Sequence, residues 1–242
     1  NIPCFFLGYE KEKLVAFLTI FLPTREEGEI SAFTHPDYRR QNNFKKLFKE
    51  AGEVLKENGV PKVLFVAEPK SDTSKEVIKK IGETELIRSE YTMSYSKEKF
   101  QKKKNKSGLK FEIISEDNKK IYSQMTEEIF KMAEGTSDNF VENAINSPDR
   151  EAYIGYLAKE KIGIFNMNYT DDGVFLYGLG IRDCFKRKGY GEEFLNFALE
   201  KAFEKGEKAI LDVDSDNMPA YNLYKKLGFK IEFQADYYEY YI

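Results

Sequence analysis

Residues 179–202 read LGIRDCFKRKGYGEEFLNFALEKA: a short β-like segment, a basic loop holding Gly189 and Gly191, then an amphipathic helix expected over Tyr190 to Lys205. Glycines at these places let the backbone take φ > 0 or let a ligand come close, so the loop N–H groups point outward at the helix start. Lys186, Arg187 and Lys188 add charge to the positive end of the helix dipole, which suits a pyrophosphate better than a neutral ligand. A lone Gly-x-Gly before a helix is also an ordinary loop junction, so the context has to carry the reading.

That context is residues 211–229, LDVDSDNMPAYNLYKKLGF: a strand, a helix opened by Asn217 and Pro219, and a Leu-Gly-Phe stop. Together the two stretches resemble the GNAT acetyltransferase superfamily, whose loop pattern Gln/Arg-x-x-Gly-x-Gly/Ala binds the pyrophosphate of acetyl-CoA. Gly189, Gly191, Asn217, Ala220, Tyr224, Gly228 and Phe229 fit the pattern. Lys186 stands where Gln or Arg is usual, keeping the charge without the guanidinium fork. The resemblance implies acetyl-CoA as cofactor, bound by Lys186, Arg187, Lys188, Gly189, Tyr190 and Gly191. It further implies that Asn217, an N-cap in its own right, contacts the pantetheine arm, that Ala220 and Tyr224 lie near the thioester, and that Tyr224 is the general acid. Gly178 and Gly180 are poor strand residues: either they are merely tolerated at an edge, or they mark a bulge that splays their strand from 208–213 and frees Leu179 and Ile181 to pair with pantetheine as a pseudo-strand.

Sliding the first half by 147 positions lays HPDYRRQNNFKKLF (35–48) on RDCFKRKGYGEEFL (182–195); a shift of 146 lays Ile81-Gly82 on Leu227-Gly228. The chain reads as a tandem repeat, with Asn42 in place of Gly189, Phe44 in place of Gly191 and Ile78 in place of Tyr224. Phe44 is expected to project into the space a pyrophosphate needs, so the first half has the scaffold without the chemistry. The opening strand and helices of the second half have no counterpart in the first; they are either lost or precede Asn1.

The expected fold is α/β: two GNAT-like (acyl-CoA N-acyltransferase) domains, each a mixed, mostly antiparallel sheet flanked by helices. The boundaries are 1–98 for the degenerate domain, 99–107 for a lysine-rich linker expected to be solvated, and 108–242 for the acetyl-CoA-binding domain. In the first half, strands are expected near 5–8, 14–21, 28–34, 62–66 and 90–95, with helices at 42–58 and 73–81. In the second, strands are expected at 109–114, 151–158, 161–169, 174–181, 208–213, 229–233 and 237–241. Helices are expected there at 119–133, 139–146, 190–205 and 218–227, with hairpin turns at Lys159-Glu160 and Asp172-Gly173.

Composition removes other classes. With 38 Lys+Arg against 41 Asp+Glu, the net charge of −3 leaves no nucleic-acid footprint, so a small partner is expected; the resemblance implies that it is a small-molecule or peptide amine. No apolar run reaches the ~20 residues that span a bilayer. Cys4 and Cys184 are too few for a disulfide framework and suit a reducing cytoplasm; Cys184, with no imidazole near it in sequence, reads as structural. The single histidine, His35, precedes a helix as a turn residue, which removes triad chemistry and leaves no metal site expected.

Two further carboxylates stand out. Asp212 and Asp214 alternate with Leu211 and Val213, so both leave the strand on one side. Each is either a turn acceptor or a group that draws in a cationic amine. The expected reaction is direct acetyl transfer to a primary amine in a ternary complex. The alternatives are a non-catalytic acyl-CoA sensor or scaffold, and aminoacyl transfer from charged tRNA, which the intact loop and the absence of an extended basic face disfavour.

Overall fold

The computed structural model describes residues 2–22 and 25–242. The chain forms two compact units. The first comprises Asn1–Tyr91, Asp214–Asp216 and Phe233–Ile242, the second Thr92–Val213 and Asn217–Glu232.

In the first unit, β1 (Phe5–Glu10), β2 (Lys13–Phe21) and β3 (Glu27–Thr34) form an antiparallel meander that leads through a short turn of 3-10 helix to α1 (Asn43–Glu57). β4 (Lys62–Ala67) pairs parallel with β3, and α2 (Asp72–Ile81) and β5 (Glu85–Ser96) follow. Leu47, Ala51 and Leu55 of α1 close the core over Phe6, Ala16, Leu18, Ile30, Val63 and Phe65. Burying such side chains is worth roughly 1.5–3 kcal/mol each. The other face of the meander is bare: Phe5 and Phe33 are 74% and 62% exposed, and Leu7 and Tyr9 are exposed beside them.

The second unit opens on β6 (Lys110–Ile113), α3 (Lys119–Phe130) and α4 (Asp138–Asn146). Then come the antiparallel strands β7 (Arg150–Leu157), β8 (Glu160–Thr170) and β9 (Gly173–Ile181), followed by α5 (Tyr190–Lys205), β10 (Lys208–Asp214), α6 (Met218–Leu227) and β11 (Lys230–Tyr241). β10 runs parallel to β9. One face is covered by α5, whose Phe194 ring occupies the space a Cβ on Gly155 or Gly163 would take. The other is covered by α3 and α4, whose Tyr122, Met125, Val141 and Ala144 pack on Ala152, Ile154 and Ile164. Shifted by 147, Phe5 and Leu7 fall on Ala152 and Ile154, so the bare face of the first unit is the face that α3 and α4 cover in the second.

The compact units cut across the repeat seen in the sequence, where the division falls at 99–107. The end of β11 pairs with β4 in the first unit, from Asp236↔Ala67 to Tyr241↔Lys62. Lys62 there bonds Glu239 at 2.7 Å and Glu27 at 2.9 Å. Residues 92–96 of β5 belong instead to the second unit beside β10, where Thr92 Oγ1 donates to Asp212 Oδ1 at 2.7 Å. Each half therefore hands its last strand segment to the other unit.

Several local expectations change. The two C-terminal strands are one continuous β11, because Asp236 and Gln234 at the expected break bond Ser89 instead of turning the chain (Ser89 Oγ to Asp236 Oδ1, 2.7 Å). β5 begins five residues earlier than expected, at Glu85. α3 ends at Phe130 rather than Ala133, where Lys131 turns left-handed at φ +55°. Leu157 pairs with Glu160, so the hairpin residues are Ala158 and Lys159, and Thr170↔Gly173 makes the next pair Asp171 and Asp172. The lysine-rich stretch is not merely solvated: Lys102 pairs with Glu200, Lys103 with Glu192 at 3.0 Å, and Ser107 Oγ donates to Glu193 at 2.9 Å, all on α5. His35 is a capping residue whose Nδ1 accepts from the Asp37 N–H at 3.3 Å.

Candidate active site

Gly189 is the N-cap of α5 with φ +86°, and Arg187 before it is also left-handed at φ +62°. A Cβ at Gly189 would meet nothing within 4 Å, so glycine is there for its backbone angle. Gly191 has no positive φ, and a Cβ on it would touch only Leu223, at an ordinary 3.5 Å. Neither backbone nor packing demands glycine at 191. Lys186 is drawn to Asp183 at 2.6 Å, and that ammonium holds the Asp183 carboxyl below the usual range. Lys188 donates to the Cys184 carbonyl at 3.0 Å and lies over the Phe185 ring. Two carboxylates in the first turn of α5 would oppose an anion. Glu192 is offset by Lys226 at 2.6 Å and Lys103 at 3.0 Å, which hold its carboxyl low, and Glu193 accepts from Ser107.

The first unit reproduces this loop in backbone but not in side chains: Arg40 and Asn42 are left-handed at φ +61° and +62°. The ring of Phe44 stacks on Phe48 at 5.8 Å and meets Phe65 edge-on at 6.4 Å. The ring is thus packed against the core of its own unit, and does not stand free in the loop as the sequence suggested.

Beyond the loop, β9 carries a bulge. Ile164 pairs with Gly180 but Asn166 with Tyr177, so Gly178 and Leu179 together oppose Phe165. Gly178 supplies the left-handed residue at φ +57°; Gly180 is instead where α3 packs tightly, since a Cβ there would lie 2.4 Å from Ile129. Pairing of β9 with β10 is confined to Ala209↔Val174 and Ile210↔Phe175, so the parallel strands part beyond Phe175. Leu179 and Ile181 lie on the diverging stretch, Ile181 paired to Gly163 on its β8 side.

Asn217 caps α6 by accepting from the Ala220 N–H at 3.3 Å, with Pro219 in the first turn. Tyr224, on the inner face of α6, is 8% exposed and lies 5.8 Å from the Phe229 ring. Burial raises its phenol above the ordinary value, which keeps the proton on the oxygen and makes Tyr224 a donor. The two aspartates are engaged differently. Asp212 is exposed and accepts from Thr92, whereas Asp214 is held by Arg88 at 3.2 Å and by the Asp216 N–H at 3.0 Å, a turn-acceptor role.

Sequence reasoning missed a buried polar pair beneath the bulge. Tyr122 donates to Asn166 Oδ1 at 2.7 Å, and Asn166, 2% exposed, donates through Nδ2 to the Tyr177 carbonyl at 3.4 Å. An asparagine at an inward strand position was the available signal. Two surface depressions of about 440 and 430 Å³ in the second unit are lined in part by Asp149, Asp171 and Glu207 and by Tyr95, Lys99 and Glu232; neither includes a candidate cofactor-binding, catalytic or substrate residue, though Gly228, at the stop of α6, lines the second.

The sequence profile of the Acetyltransferase (GNAT) family matches residues 1–82 and 114–229. A mycothiol acetyltransferase of Corynebacterium aurimucosum is 39% identical over 57 residues, a stretch covering 23% of this chain and 19% of that protein. Among solved structures, a GCN5-related N-acetyltransferase from Sphaerobacter thermophilus superposes with a TM-score of 0.79 at 13% identity, over 95% of this chain and 77% of that one. A tandem GNAT protein from the clavulanic acid biosynthesis pathway superposes at 0.72 with 11% identity, over 100% and 84%. At such identities the superpositions speak for the fold.

Proposed function

Because this chain belongs to the acetyltransferase (GNAT) family, we propose that its second unit binds acetyl-CoA and transfers the acetyl group directly to a primary amine in a ternary complex. One observation carries the reading: a left-handed Gly189 opens α5 beside a Gly191 that the protein's own packing does not require.

The pyrophosphate would lie at the N-terminus of α5, on the backbone of Lys186 to Gly191, with Lys186, Arg187 and Lys188 supplying charge. The pantetheine arm would enter between β9 and β10, along Leu179 and Ile181, toward Asn217 and Ala220. Bound acetyl-CoA supplies an activated thioester; the residues of the chain position it and handle protons. The amine must be neutral to attack, yet an alkylamine of pKa ~10.4 is only ~0.04% neutral at pH 7, a deficit of roughly 4–5 kcal/mol. Asp212, exposed at the end of β10, would draw in the cation and lower that deficit only by passing its proton to water. As the amine attacked, a carbon–nitrogen bond would replace the carbon–sulfur bond, the nitrogen would release a proton to water, and Tyr224 would offer the departing thiolate a hydrogen bond or a proton regained from solvent. An unperturbed phenol and thiol already differ by ~1.5 pKa units, about 2 kcal/mol against full transfer, and burial of Tyr224 adds to that, so its position counts for more than its acidity.

The test is to mix the chain with acetyl-CoA and a panel of primary amines and follow release of the free thiol. Thiol appearing in step with N-acetylated amine supports the transferase. Binding of acetyl-CoA without thiol release over the whole panel would favour a sensor or scaffold instead.

A further inference from the structure

The two halves of the repeat make an internal comparison. Up to the middle of the meander their registers agree position for position: Ala16↔Thr34 and Phe17↔Phe33 in the first unit fall, at a shift of 147, on Gly163↔Ile181 and Ile164↔Gly180 in the second. The next pairs diverge. Thr19 pairs with Ser31, the position equivalent to Gly178, whereas Asn166 pairs with Tyr177, one residue further along. The parallel ladders diverge at the same level. Glu27↔Lys62 and Gly28↔Val63 have their equivalents in Val174↔Ala209 and Phe175↔Ile210. The first unit continues with Glu29↔Leu64 and Ile30↔Phe65; the second stops.

The side chains at the point of divergence account for the difference. Thr19 Oγ1 donates to the Ser31 carbonyl at 3.4 Å and sits in an unbroken ladder. A bulge leaves backbone groups without their ladder partners, and buried groups of that kind cost about 1–3 kcal/mol each unless they are bonded. In the second unit Asn166 Nδ2 donates to the Tyr177 carbonyl at the bulge, while its oxygen is filled by the Tyr122 hydroxyl. Both functions of a buried carboxamide are thereby used. The same Nδ2 lies 2.5 Å from where a Cβ on Gly178 would be, so the carboxamide and any larger residue at 178 exclude one another. Among the described residues the first unit has no helix equivalent to α3, hence nothing in the place of Tyr122.

We propose that Asn166, held in place by Tyr122, is the positioning residue that fixes the bulge at Gly178 and so keeps β9 apart from β10 where the acyl-carrying arm enters. The inference rests on reading the second unit as the acetyl-CoA site. It adds that the difference between the two units lies beneath the sheet as well as in the loop.

The test installs the residues of the first unit: Asn166→Thr with Gly178→Ser, together with Tyr122→Phe so that no buried hydroxyl is left unpaired. Hydrogen exchange on the unliganded chain should slow at the amides of Tyr177 and Asp212 as the parallel ladder lengthens, and the calorimetric Kd for acetyl-CoA should rise at least ten-fold. Unchanged exchange, or a Kd within two-fold of the unmodified chain, overturns the proposal. If the unmodified chain binds no acetyl-CoA, the site reading itself fails, and exchange still decides whether Asn166 fixes the bulge. Should the triple variant not fold, Tyr122→Phe alone is the substitute. It should raise KM for acetyl-CoA about three- to ten-fold with kcat unchanged at saturation; equal KM, or a fall confined to kcat, overturns the proposal.

Discussion

Replacing Gly191 separates binding from folding, because the two should move in opposite directions. Gly191 is the second residue of α5, has no left-handed angle, and a Cβ there meets only Leu223 at 3.5 Å. Gly191→Ala should therefore be neutral or stabilise the unliganded protein by up to about 0.5–1 kcal/mol through helix propensity, a rise of a few degrees at most in Tm. A pyrophosphate approaching the same backbone loses room. Charge-assisted hydrogen bonds are worth about 1.5–3 kcal/mol each, so weakening one by Gly191→Ala should cost roughly ten-fold in Kd. Blocking two by Gly191→Phe, the residue the first unit carries at Phe44, should cost about 100-fold or more. Calorimetric titration with acetyl-CoA and melting of the free protein give the two numbers. The reasoning is refuted if Gly191→Phe leaves Kd unchanged, or if Gly191→Ala lowers Tm by several degrees, which would mark Gly191 as a packing glycine.

Three further outcomes are expected. Titration of the unmodified chain should give one acetyl-CoA site, since the first unit lacks both loop glycines and keeps an unbroken ladder where β9 and β10 part; two equivalent sites would contradict that asymmetry. Tyr224→Phe should lower kcat ten- to a thousand-fold with acetyl-CoA affinity nearly unchanged, and an unaltered kcat where chemistry limits the rate would make Tyr224 a packing residue. Asp214→Asn should leave the KM for dicationic and neutral-tailed amines alike and cost less than ~1 kcal/mol of stability, because the half-exposed Asp214 is already committed to Arg88; a selective rise in KM for the dication would show that Asp214 meets the substrate.

Where the sequence carried local punctuation, the structure follows it. The bounds of α5 and α6 are those expected from the sequence, with Gly189, Asn217 and Gly228 fixing helix ends by their angles or caps. The repeat lays Asn42 on Gly189, and both are left-handed. What stayed hidden depends on partners far along the chain. Gln234-Ala235-Asp236 looks like a break between strands, and only Ser89, 147 residues away, turns Asp236 into a strand residue. Nothing near Tyr122 or Asn166 says that they meet, 44 residues apart; Gly178 and Gly180 announce the bulge of β9 but not the buried pair beneath it. Asp214 likewise could not be seen to belong to Arg88, 126 residues earlier.

The exchange of terminal strand segments sets an order on biosynthesis. β4 reaches the ribosome's exit early, yet its antiparallel partner is residues 236–241, so Val63 and Phe65 wait through most of translation with one strand edge open. Open edges of that kind are the usual seeds of misassembly in nascent multidomain chains. A cut at the lysine-rich stretch would make the delay permanent: the leading fragment would never receive the tail of β11, and the trailing one would lose residues 92–96. Neither piece would be a smaller copy of the whole, and co-expression of the two fragments, rather than either alone, is the route by which a split form of this protein could regain its fold.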